Sequence, residues 1–263
     1  MRNIKLQIEY DGTNYCGWQV QRKAPASPAG RQSGKSKASI QQTLEKALRT
    51  ILQEKIKLFA SGRTDAGVHA LAQVANFYTK SAVSLEKLQG GLNGLLPRDI
   101  VISDVKEVPP GFNSRFWAKS KVYRYSILNR KFSSALLENK VYFLRYPLDI
   151  RLMQQASRCL KGRHDFKALC ASASCAKDAI RTIKQISVRR LPDEFGKKSI
   201  IAIEVEANGF VYNMVRNIAG TLIEIGRGWL PRGSLKQILA SRNRKLAGPT
   251  APAQGLCLMR VKY

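Results

Sequence analysis

The sequence predicts an α+β fold in two similar halves, on three observations. Several short segments alternate apolar and polar residues, as half-buried strands do. Other segments repeat apolar residues every three or four positions, as helices packed on a sheet do. The two patterns are mixed along the chain, with neither a βαβ fingerprint nor a Gly-rich phosphate loop. We therefore expect a mixed α+β protein, and we find no internal repeat.

The 263-residue chain has a globular composition and a strongly basic charge. Hydrophobic residues make up 44% of it, which is enough for a core in one large or two ordinary domains. Lys and Arg number 45 against 18 Asp and Glu, which gives a formal net charge of +27. A basic folded surface attracts polyanions by releasing their counterions, so nucleic acid is the leading predicted partner. The alternative is a general cationic bias of the host's proteins.

Nothing in the sequence indicates export or a membrane. Residues 1–5 lead directly into an alternating segment, unlike a signal peptide, and no apolar run is long enough to cross a bilayer. The five cysteines are an odd, scattered set, which favours a reduced, cytoplasmic protein. Cys170 and Cys175, with His164 nearby, would form half of a metal site, but the matching half is absent. We therefore expect no metal and no membrane contact.

The N-terminal half, predicted as residues 1–108, reads as strands with two capped helices. Ser39 and Gln42 form a capping box that starts the first helix. Ser84 starts the second helix, which ends near Gly94. Asp99 and Asp104 are predicted to be solvated. The predicted strands cover residues 4–10, 56–60, 72–78 and 100–108.

Residues 22–38 interrupt this half with a basic stretch rich in Pro, Ser, Gly and Ala. Such a composition favours a flexible segment rather than a helix or strand. Two interpretations remain open: a tolerated surface insertion, or a flexible arm that touches RNA phosphates.

The C-terminal half, predicted as residues 109–263, begins at the Pro109-Pro110-Gly111 sequence, which is typical of a domain boundary. Asp149 is expected to cap a helix that Gly162 ends. A long apolar stripe from Val211 to Leu222 predicts the clearest helix of the chain, and a short helix follows. The predicted strands cover residues 122–128, 180–190, 200–207 and 256–263.

The strongest candidate for chemistry is Asp65, in a polar loop (residues 61–70) between two apolar runs. Its neighbours Arg63 and Thr64 can keep a carboxylate ionised and oriented, and a carboxylate is a competent nucleophile toward a sugar or base carbon. The alternative is that Asp65 only shapes a turn, while His69 has the features of a structural histidine. The chain has only two histidines and no Gly-x-Ser-x-Gly elbow, so an enzyme of this sequence is expected to use a carboxylate and no cofactor.

Aromatic and basic side chains elsewhere have both a structural and a functional interpretation. Tyr123 and Tyr125 alternate on a strand, either as ordinary sheet residues or as an aromatic plate for a flipped base. Arg216 flanks the apolar helical stripe, either as a solvated cation or as a group that pairs with a carboxylate in a cleft. Tyr15 and Trp18 are either core residues or a surface on which bases stack.

These residues also carry a resemblance to a known family. The loop Gly62-Arg63-Thr64-Asp65-Ala66-Gly67-Val68-His69 resembles the signature loop of the tRNA pseudouridine synthase A family. Further segments resemble the same family, in order, over nearly the whole chain: Glu9-Tyr10-Asp11-Gly12 with Tyr15-x-Gly17-Trp18-Gln19, Leu95-Leu96-Pro97-x-Asp99-Ile100, Tyr123-Arg124-Tyr125, Met214-Val215-Arg216-Asn217-Ile218, and Thr250-Ala251-Pro252-Ala253-x-Gly255-Leu256.

The resemblance implies roles for four residues. Asp65 aligns with the nucleophilic aspartate of the family, and Tyr123 aligns with the tyrosine that stacks on the target uracil. Arg216 aligns with the arginine that forms a salt bridge to the nucleophile. Arg63 aligns with a loop arginine linked to RNA contact and base flipping.

The resemblance also implies the architecture, the reaction and the partners. It implies two similar α/β subdomains that share a mostly antiparallel mixed sheet, with an active-site cleft between them. The implied enzyme is an isomerase, a cytoplasmic homodimer that acts on the anticodon arm of tRNA without a cofactor. It would convert uridine to pseudouridine at tRNA positions 38, 39 and 40. The basic stretch at residues 22–38 is longer than this family leads one to expect.

Two rival functions remain open. A non-catalytic RNA-binding protein would account for the charge, but not for Asp65 in combination with Arg63, Tyr123 and Arg216. A carboxylate hydrolase would need a second acid as the partner of Asp65, and none stands out in the sequence.

Overall fold

The computed structural model of the chain describes residues 1–19, 37–171, 178–193, 196–197 and 199–263. It divides into two compact units, Met1–Ala118 with Tyr263, and Lys119–Lys262. Each unit combines helices with a mostly antiparallel sheet, so the predicted α+β class is confirmed. Most of the basic stretch 22–38, and Cys175, lie outside the described residues.

The sheet of the first unit is antiparallel and has the strand order β4-β1-β3, with the short β2 paired to β3. Its interior face carries Ile4, Leu6 and Ile8, each at most 1% exposed, because alternate side chains of a strand point to one face. The strands are β1 (Arg2–Tyr10), β2 (Phe59–Ala60), β3 (His69–Thr79) and β4 (Ile100–Val108).

Two helices of the first unit, α1 (Ile40–Leu52) and α2 (Leu85–Leu95), begin at the predicted caps. The hydroxyl of Ser39 accepts a hydrogen bond from the Gln42 backbone nitrogen at 3.1 Å, and Ser84 accepts one from Lys87 at 3.3 Å. Each cap satisfies a backbone donor that the first helical turn leaves unpaired.

The predicted strand at 56–60 is wrong over most of its length, because only Phe59 and Ala60 pair with β3. The backbone nitrogen of Leu58 donates instead to Oε1 of Glu45, on α1, at 3.0 Å. Ile56 and Leu58 are nevertheless buried, 7% and 4% exposed. The apolar residues at 56–58 are therefore buried beside α1 without forming a strand.

The segment after β4 packs on the first unit as far as Ala118, whereas the sequence places the boundary at residues 109–111. The buried amide of Asn3 donates to the carbonyl oxygens of Pro109 and Phe112, at 3.1 and 2.9 Å. The backbone nitrogen of Ser114 donates to Oδ1 of Asn76 at 2.9 Å. These buried side-chain hydrogen bonds fix an otherwise irregular segment.

The sheet of the second unit has the strand order β10-β5-β9-β8-β7, all antiparallel, with β6 parallel to β5. The predicted inward face of β9 is confirmed, since Ile201, Ile203, Val205 and Ala207 are all 0% exposed. The strands are β5 (Ser120–Asn129), β6 (Tyr142–Leu144), β7 (Gly162–Asp165), β8 (Ile180–Leu191), β9 (Ile200–Ala207) and β10 (Leu256–Lys262).

Three helices complete the second unit: α3 (Ile150–Ser157), α4 (Met214–Gly226) and α5 (Ser234–Ser241). The carboxylate of Asp149 caps α3 as predicted, accepting from the Leu152 nitrogen at 3.1 Å, although the α-helix ends before Gly162. Every residue of α4 except Arg216 is buried. In the described part of the chain, no helix has both the length and the apolarity that spanning a bilayer requires.

Candidate active site

The loop 61–70 runs from β2 to β3, and its first residues are fixed by one buried side chain of β3. Gln73 is 0% exposed. Its amide oxygen accepts from the Ser61 hydroxyl at 2.6 Å, and its amide nitrogen donates to the Gly62 carbonyl at 2.9 Å. The Ser61 nitrogen also donates to the Val74 carbonyl at 2.8 Å. Ser61 and Gly62, the first two residues of the loop, are therefore both hydrogen-bonded to β3.

Thr64, the residue before the candidate nucleophile, is held on its side chain and on its main chain. Its hydroxyl lies 2.7 Å from the hydroxyl of Tyr10 in a buried hydrogen bond. Its carbonyl accepts from the Trp18 backbone nitrogen at 3.0 Å. Because Thr64 is anchored through both groups, the position of the next Cα atom is restricted.

Gly17 brings a second stretch of main chain directly under the loop. Its φ of +102° is one that side chains rarely adopt, and a Cβ atom there would lie 2.8 Å from the Thr64 carbonyl oxygen. Tyr15 and Trp18 beside it are 7% and 2% exposed. The Trp18 ring also packs against the Tyr10 ring, with centroids 6.1 Å apart, so the core interpretation holds and the segment supports the loop.

The turn that follows Asp65 is closed by the main chain. The Val68 nitrogen donates to the Asp65 carbonyl at 3.1 Å, a hydrogen bond that any residue at position 65 could accept. Gly67 supplies the positive φ of the turn, +76°. Arg63 is exposed and Asp65 is half-buried. The loop thus buries Thr64 and Val68 and leaves its acid and base nearer the surface.

His69, the first residue of β3, is 8% exposed, in agreement with its structural interpretation. Its Nδ1 atom is 3.1 Å from both the Gly12 backbone nitrogen and Oδ1 of Asp11. A Cβ atom on Gly12 would lie 2.1 Å from the Val68 carbonyl oxygen. The end of β1 and the end of the loop are therefore in main-chain contact.

Asp99 is not solvated as predicted, because it takes part in a network beside this region. Its carboxylate accepts from the Tyr15 hydroxyl, and its carbonyl accepts from the Asp11 nitrogen at 2.9 Å. The pKa of the Tyr15 phenol is raised, mainly by burial and next by the hydrogen bond to Asp99. The hydroxyl therefore remains a hydrogen-bond donor at neutral pH.

Tyr123 lies on β5 in the second unit, opposite Val205 of β9 and Leu258 of β10. It is 7% exposed, and the Phe210 ring meets it edge to face, with centroids 5.0 Å apart and planes at 82°. Such pairs hold aromatic rings in a defined orientation. The sequence patterns do not single out Phe210, although an aromatic residue three positions after the end of a strand is a usable signal.

Tyr125, two residues along the same face, is a structural residue. It is 0% exposed, and its hydroxyl donates to the Pro252 carbonyl at 2.8 Å. A Cβ atom on Gly255 would lie 2.6 Å from Cζ of its ring. Burial raises the pKa of its phenol, while the nearby charge of Arg216 acts in the opposite direction.

Arg216 projects from the first turn of α4 and is held by two acceptors of its own unit. Its Nε atom donates to the Ala251 carbonyl at 2.7 Å, and Nη1 donates to Oδ1 of Asn213 at 3.1 Å. The Ala251 nitrogen in turn donates to the Arg216 carbonyl at 3.2 Å. The guanidinium of Arg216 is thus half-buried and hydrogen-bonded, so it is not the solvated helix-surface cation that was one of its two interpretations.

The segment 247–251 that holds Arg216 is locked onto α4 by Arg244. Its guanidinium donates to the Gly248 carbonyl at 2.8 Å, to Thr250 Oγ1 at 3.1 Å and to Asn217 Oδ1 at 3.0 Å. Burial lowers the pKa of this arginine. No role for Arg244 or Thr250 follows from the sequence patterns, because their hydrogen-bond partners lie up to 33 positions away along the chain.

The predicted site residues thus fall into two pairs. Arg63 and Asp65 share one loop of the first unit. Tyr123 and Arg216 lie on β5 and α4 of the second unit, two elements that pack against each other. The salt bridge from Arg216 to Asp65 stays a prediction.

Comparison with known proteins defines the class of this chain. Residues 7–116 and 156–263 match the family described as tRNA pseudouridine synthase. A protein named tRNA pseudouridine synthase A from Acetivibrio thermocellus is 45% identical over 263 residues, and one of the same name from Geotalea uraniireducens is 47% identical over 263 residues. In each case the match covers 100% of both chains.

An α+β chain with this loop and these matches is an RNA-modifying isomerase of the pseudouridine synthase class. The chain belongs to the tRNA pseudouridine synthase family. It is accordingly an enzyme that converts uridine to pseudouridine in tRNA, and the resemblance found in the sequence is confirmed.

Proposed function

We propose that this enzyme isomerises uridines at positions 38, 39 and 40 of the tRNA anticodon stem-loop, with Asp65 as its nucleophile. The observation that supports this most strongly is the way the loop 61–70 holds Asp65. Ser61 and Thr64 are buried and hydrogen-bonded, and the turn after Asp65 closes through the main chain. A carboxylate carried by so rigid a loop is preorganised for attack.

The reaction redistributes bonds within one nucleotide. The bond from C1′ of the ribose to N1 of the uracil breaks, and a bond from C1′ to C5 forms. A proton leaves C5 and a proton is gained at N1, so no atoms are lost and no electrons are exchanged. The carboxylate of Asp65 would form a transient bond to the nucleotide, at either the sugar or the uracil ring. It leaves again when C5 bonds to C1′.

The target uridine must leave its stack before Asp65 can reach it, which costs a few kcal/mol. We propose that the ring of Tyr123 receives the flipped uracil, a contact of about 1–3 kcal/mol for a base on an aromatic ring. The edge-to-face contact with Phe210, 5.0 Å between centroids, supports this role because it orients the tyrosine ring in advance. Arg63, exposed on the same loop as Asp65, is proposed to contact the RNA during flipping.

Arg216 is proposed to form a salt bridge with the Asp65 carboxylate in the working enzyme. Such a pair keeps the carboxylate ionised and fixes its direction. The acceptors that already orient the guanidinium, Ala251 and Asn213, support a positioning role. A cytoplasmic location and a homodimer belong to the same proposal, and both rest on the family resemblance.

The experiment is to incubate unmodified tRNA transcripts with the protein and to map pseudouridine by position. Wild-type protein should modify positions 38, 39 and 40, and Asp65→Asn should reduce turnover by several orders of magnitude, since the amide is not a nucleophile. Asp65→Asn should still bind tRNA with a Kd close to that of wild type. The Val68 nitrogen can still donate to the main-chain carbonyl of residue 65 in this variant, so the turn itself should be retained.

Three outcomes would contradict parts of the proposal. Modification at other positions only would overturn the anticodon-arm assignment. Full turnover by Asp65→Asn would remove its nucleophilic role. Tight tRNA binding by wild type without any pseudouridine would favour the rival function, a non-catalytic RNA-binding protein.

A further inference from the structure

Two arginines and two aromatic residues form an exposed cluster in the second unit, which we name the Arg–aromatic ladder (Arg145, Tyr146, Arg227 and Trp229). It lies at the C-terminal end of α4, whereas Arg216 lies in the first turn of that helix. Position 227, the C-cap, is eleven positions after position 216, or about 16 Å further along the helix axis. The ladder is therefore distinct from the residues proposed for catalysis.

Cations and rings alternate in the ladder within cation–π distance. The guanidinium carbon of Arg145 is 5.1 Å from the centroid of the Tyr146 ring. That of Arg227 is 5.2 Å from the Tyr146 ring and 3.8 Å from the Trp229 ring. The contacts make one continuous series from Arg145 to Trp229.

The main chain fixes the ladder at both aromatic residues. After α4, Gly228 adopts a φ of +78°, and the Trp229 nitrogen donates to the Glu224 carbonyl at 2.9 Å. Nη1 of Arg227 donates to the Glu224 carboxylate at 3.2 Å. On the other side, the amide of Asn129 donates to the Tyr146 carbonyl at 2.6 Å. The main chain that carries both rings is thus fixed by hydrogen bonds.

The rings of this rigid cluster face solvent. Trp229 is 70% exposed and Tyr146 is 48% exposed, although exposing large aromatic surface is unfavourable in water. Arg227 covers one face of the Trp229 ring, which leaves the opposite face as a platform. Two guanidiniums adjoin these rings, and the chain as a whole carries a net charge of +27. A planar ring linked to an anion fits this combination, and a nucleotide has both parts.

We propose that the Arg–aromatic ladder binds an unpaired nucleotide of a bound RNA, with the base stacked on Trp229 and the adjoining phosphates at Arg145 and Arg227. Every base has a π face, so the stacking is indifferent to sequence, and the arginines add the salt-dependent attraction of phosphate. The proposal rests on the tRNA substrate of the family and does not depend on the role of Asp65. It adds a second RNA contact to those proposed at the catalytic loop.

The test compares Trp229→Ala with Trp229→Tyr and with the control Phe132→Ala. Phe132 is 71% exposed, and Nζ of Lys131 lies 5.3 Å from its ring centroid. It therefore resembles Trp229 in exposure and in having a neighbouring cation, but it does not belong to the ladder. The probes are an unmodified tRNA transcript and a short single-stranded oligouridylate. Trp229→Ala should raise the Kd for both probes by about fivefold or more. Trp229→Tyr should stay within about twofold of wild type, and Phe132→Ala should not differ from it.

Salt and turnover separate stacking from other causes. The defect of Trp229→Ala should persist at high salt, whereas that of Arg145→Gln should shrink as salt screens the phosphate contact. At subsaturating tRNA, kcat/KM of Trp229→Ala should fall by about the same factor as the Kd rises. An unchanged Kd for Trp229→Ala would overturn the proposal, as would an equal loss in Phe132→Ala. A change of oligomeric state in Trp229→Ala would also overturn it, because the ladder would then be an interface between copies.

Discussion

At the scale of single residues, two main-chain contacts determine where the loop 61–70 lies. Gly17 and Gly12 both approach it so closely that a Cβ atom would lie 2.8 and 2.1 Å from a carbonyl oxygen. The amide of Gln73 then ties down the loop entrance. The loop that carries Asp65 is thus positioned by main-chain contacts and by one buried amide.

Gly17→Ala tests this view of the loop. The new methyl group meets the Thr64 carbonyl, and its residue must keep a φ of +102°, so we expect a stability loss of about 1–3 kcal/mol. Because the contact lies one residue from Asp65, kcat should fall about tenfold to a hundredfold. Thermal unfolding and single-turnover kinetics would measure the two effects.

The matched control is Gly90→Ala, in α2, where an added Cβ atom has nothing within 4 Å. That change should leave kcat unaltered and stabilise the helix by up to about 1 kcal/mol. If Gly17→Ala behaved like Gly90→Ala, the proposed support of the Asp65 loop by Gly17 would be wrong.

At the scale of elements, α4 and the segment 247–251 form one interlocked structure. A Cβ atom on Gly220 would lie 1.8 Å from the Pro249 carbonyl oxygen, so helix and segment touch through their main chains. The guanidinium of Arg244 then donates both to the Gly248 carbonyl in the segment and to the Asn217 side chain on α4. Since the carbonyl of Ala251 holds Arg216, the orientation of Arg216 depends on Arg244.

Arg244→Met should therefore reduce both stability and turnover. Its removal takes a donor from the carbonyl of the buried Gly248, which costs about 1–3 kcal/mol, and it loosens the segment whose Ala251 carbonyl holds Arg216. We expect kcat to fall more than KM rises. Arg244→Lys should not rescue the enzyme, because an ammonium group cannot span the same acceptors.

Arg242→Gln supplies the comparison. Arg242 also forms an ion pair, with Asp165 at 2.9 Å, but its side chain is 66% exposed. Such a pair contributes at most about 1 kcal/mol, so stability and kcat should both stay near wild type. A normal kcat in Arg244→Met would show that Arg216 does not need the support of this segment.

The sequence predicts elements well where their determinants are local. Ser39, Ser84 and Asp149 cap helices through a backbone group three residues away, so the pattern is visible in four residues. Strands β6 and β7 have only three and four residues and depend on pairing with distant segments. A short sequence window contains no signal for them.

The same distinction applies to the candidate site. Asp65, Tyr123 and Arg216 are named from short motifs, because each motif contains its reactive side chain. Gln73 and Arg244 are missed, since their roles exist only once the fold has placed their partners beside them.

At the scale of the whole molecule, several acidic residues already have cationic partners. Glu204 contacts both Arg124 and Arg189, and Glu206 accepts from Lys262 at 2.8 Å. In Glu206 this hydrogen bond, with a second from Ser120, lowers the pKa of the carboxyl. The formal charge of +27 is therefore an excess of cations over carboxylates, several of which are already paired within the protein.

This excess predicts a steep dependence of tRNA affinity on salt. A protein that makes six to ten phosphate contacts loses roughly a thousandfold or more in affinity between about 50 and 200 mM salt. We expect a slope of this size for the Kd of wild type and of Asp65→Asn, measured by filter binding. A Kd that barely changes with salt would mean that shape and stacking, and not charge, dominate the complex.

The tryptophans of the chain give each unit its own optical reporter. Trp18, 2% exposed, lies under the candidate loop in the first unit, and Trp229, 70% exposed, belongs to the second. A buried indole emits at shorter wavelengths than a solvated one, so the two signals differ in colour. The chain has three tryptophans, and replacing Trp117 with phenylalanine leaves this pair alone. One emission spectrum would then report the integrity of the catalytic loop and the occupancy of the ladder at once.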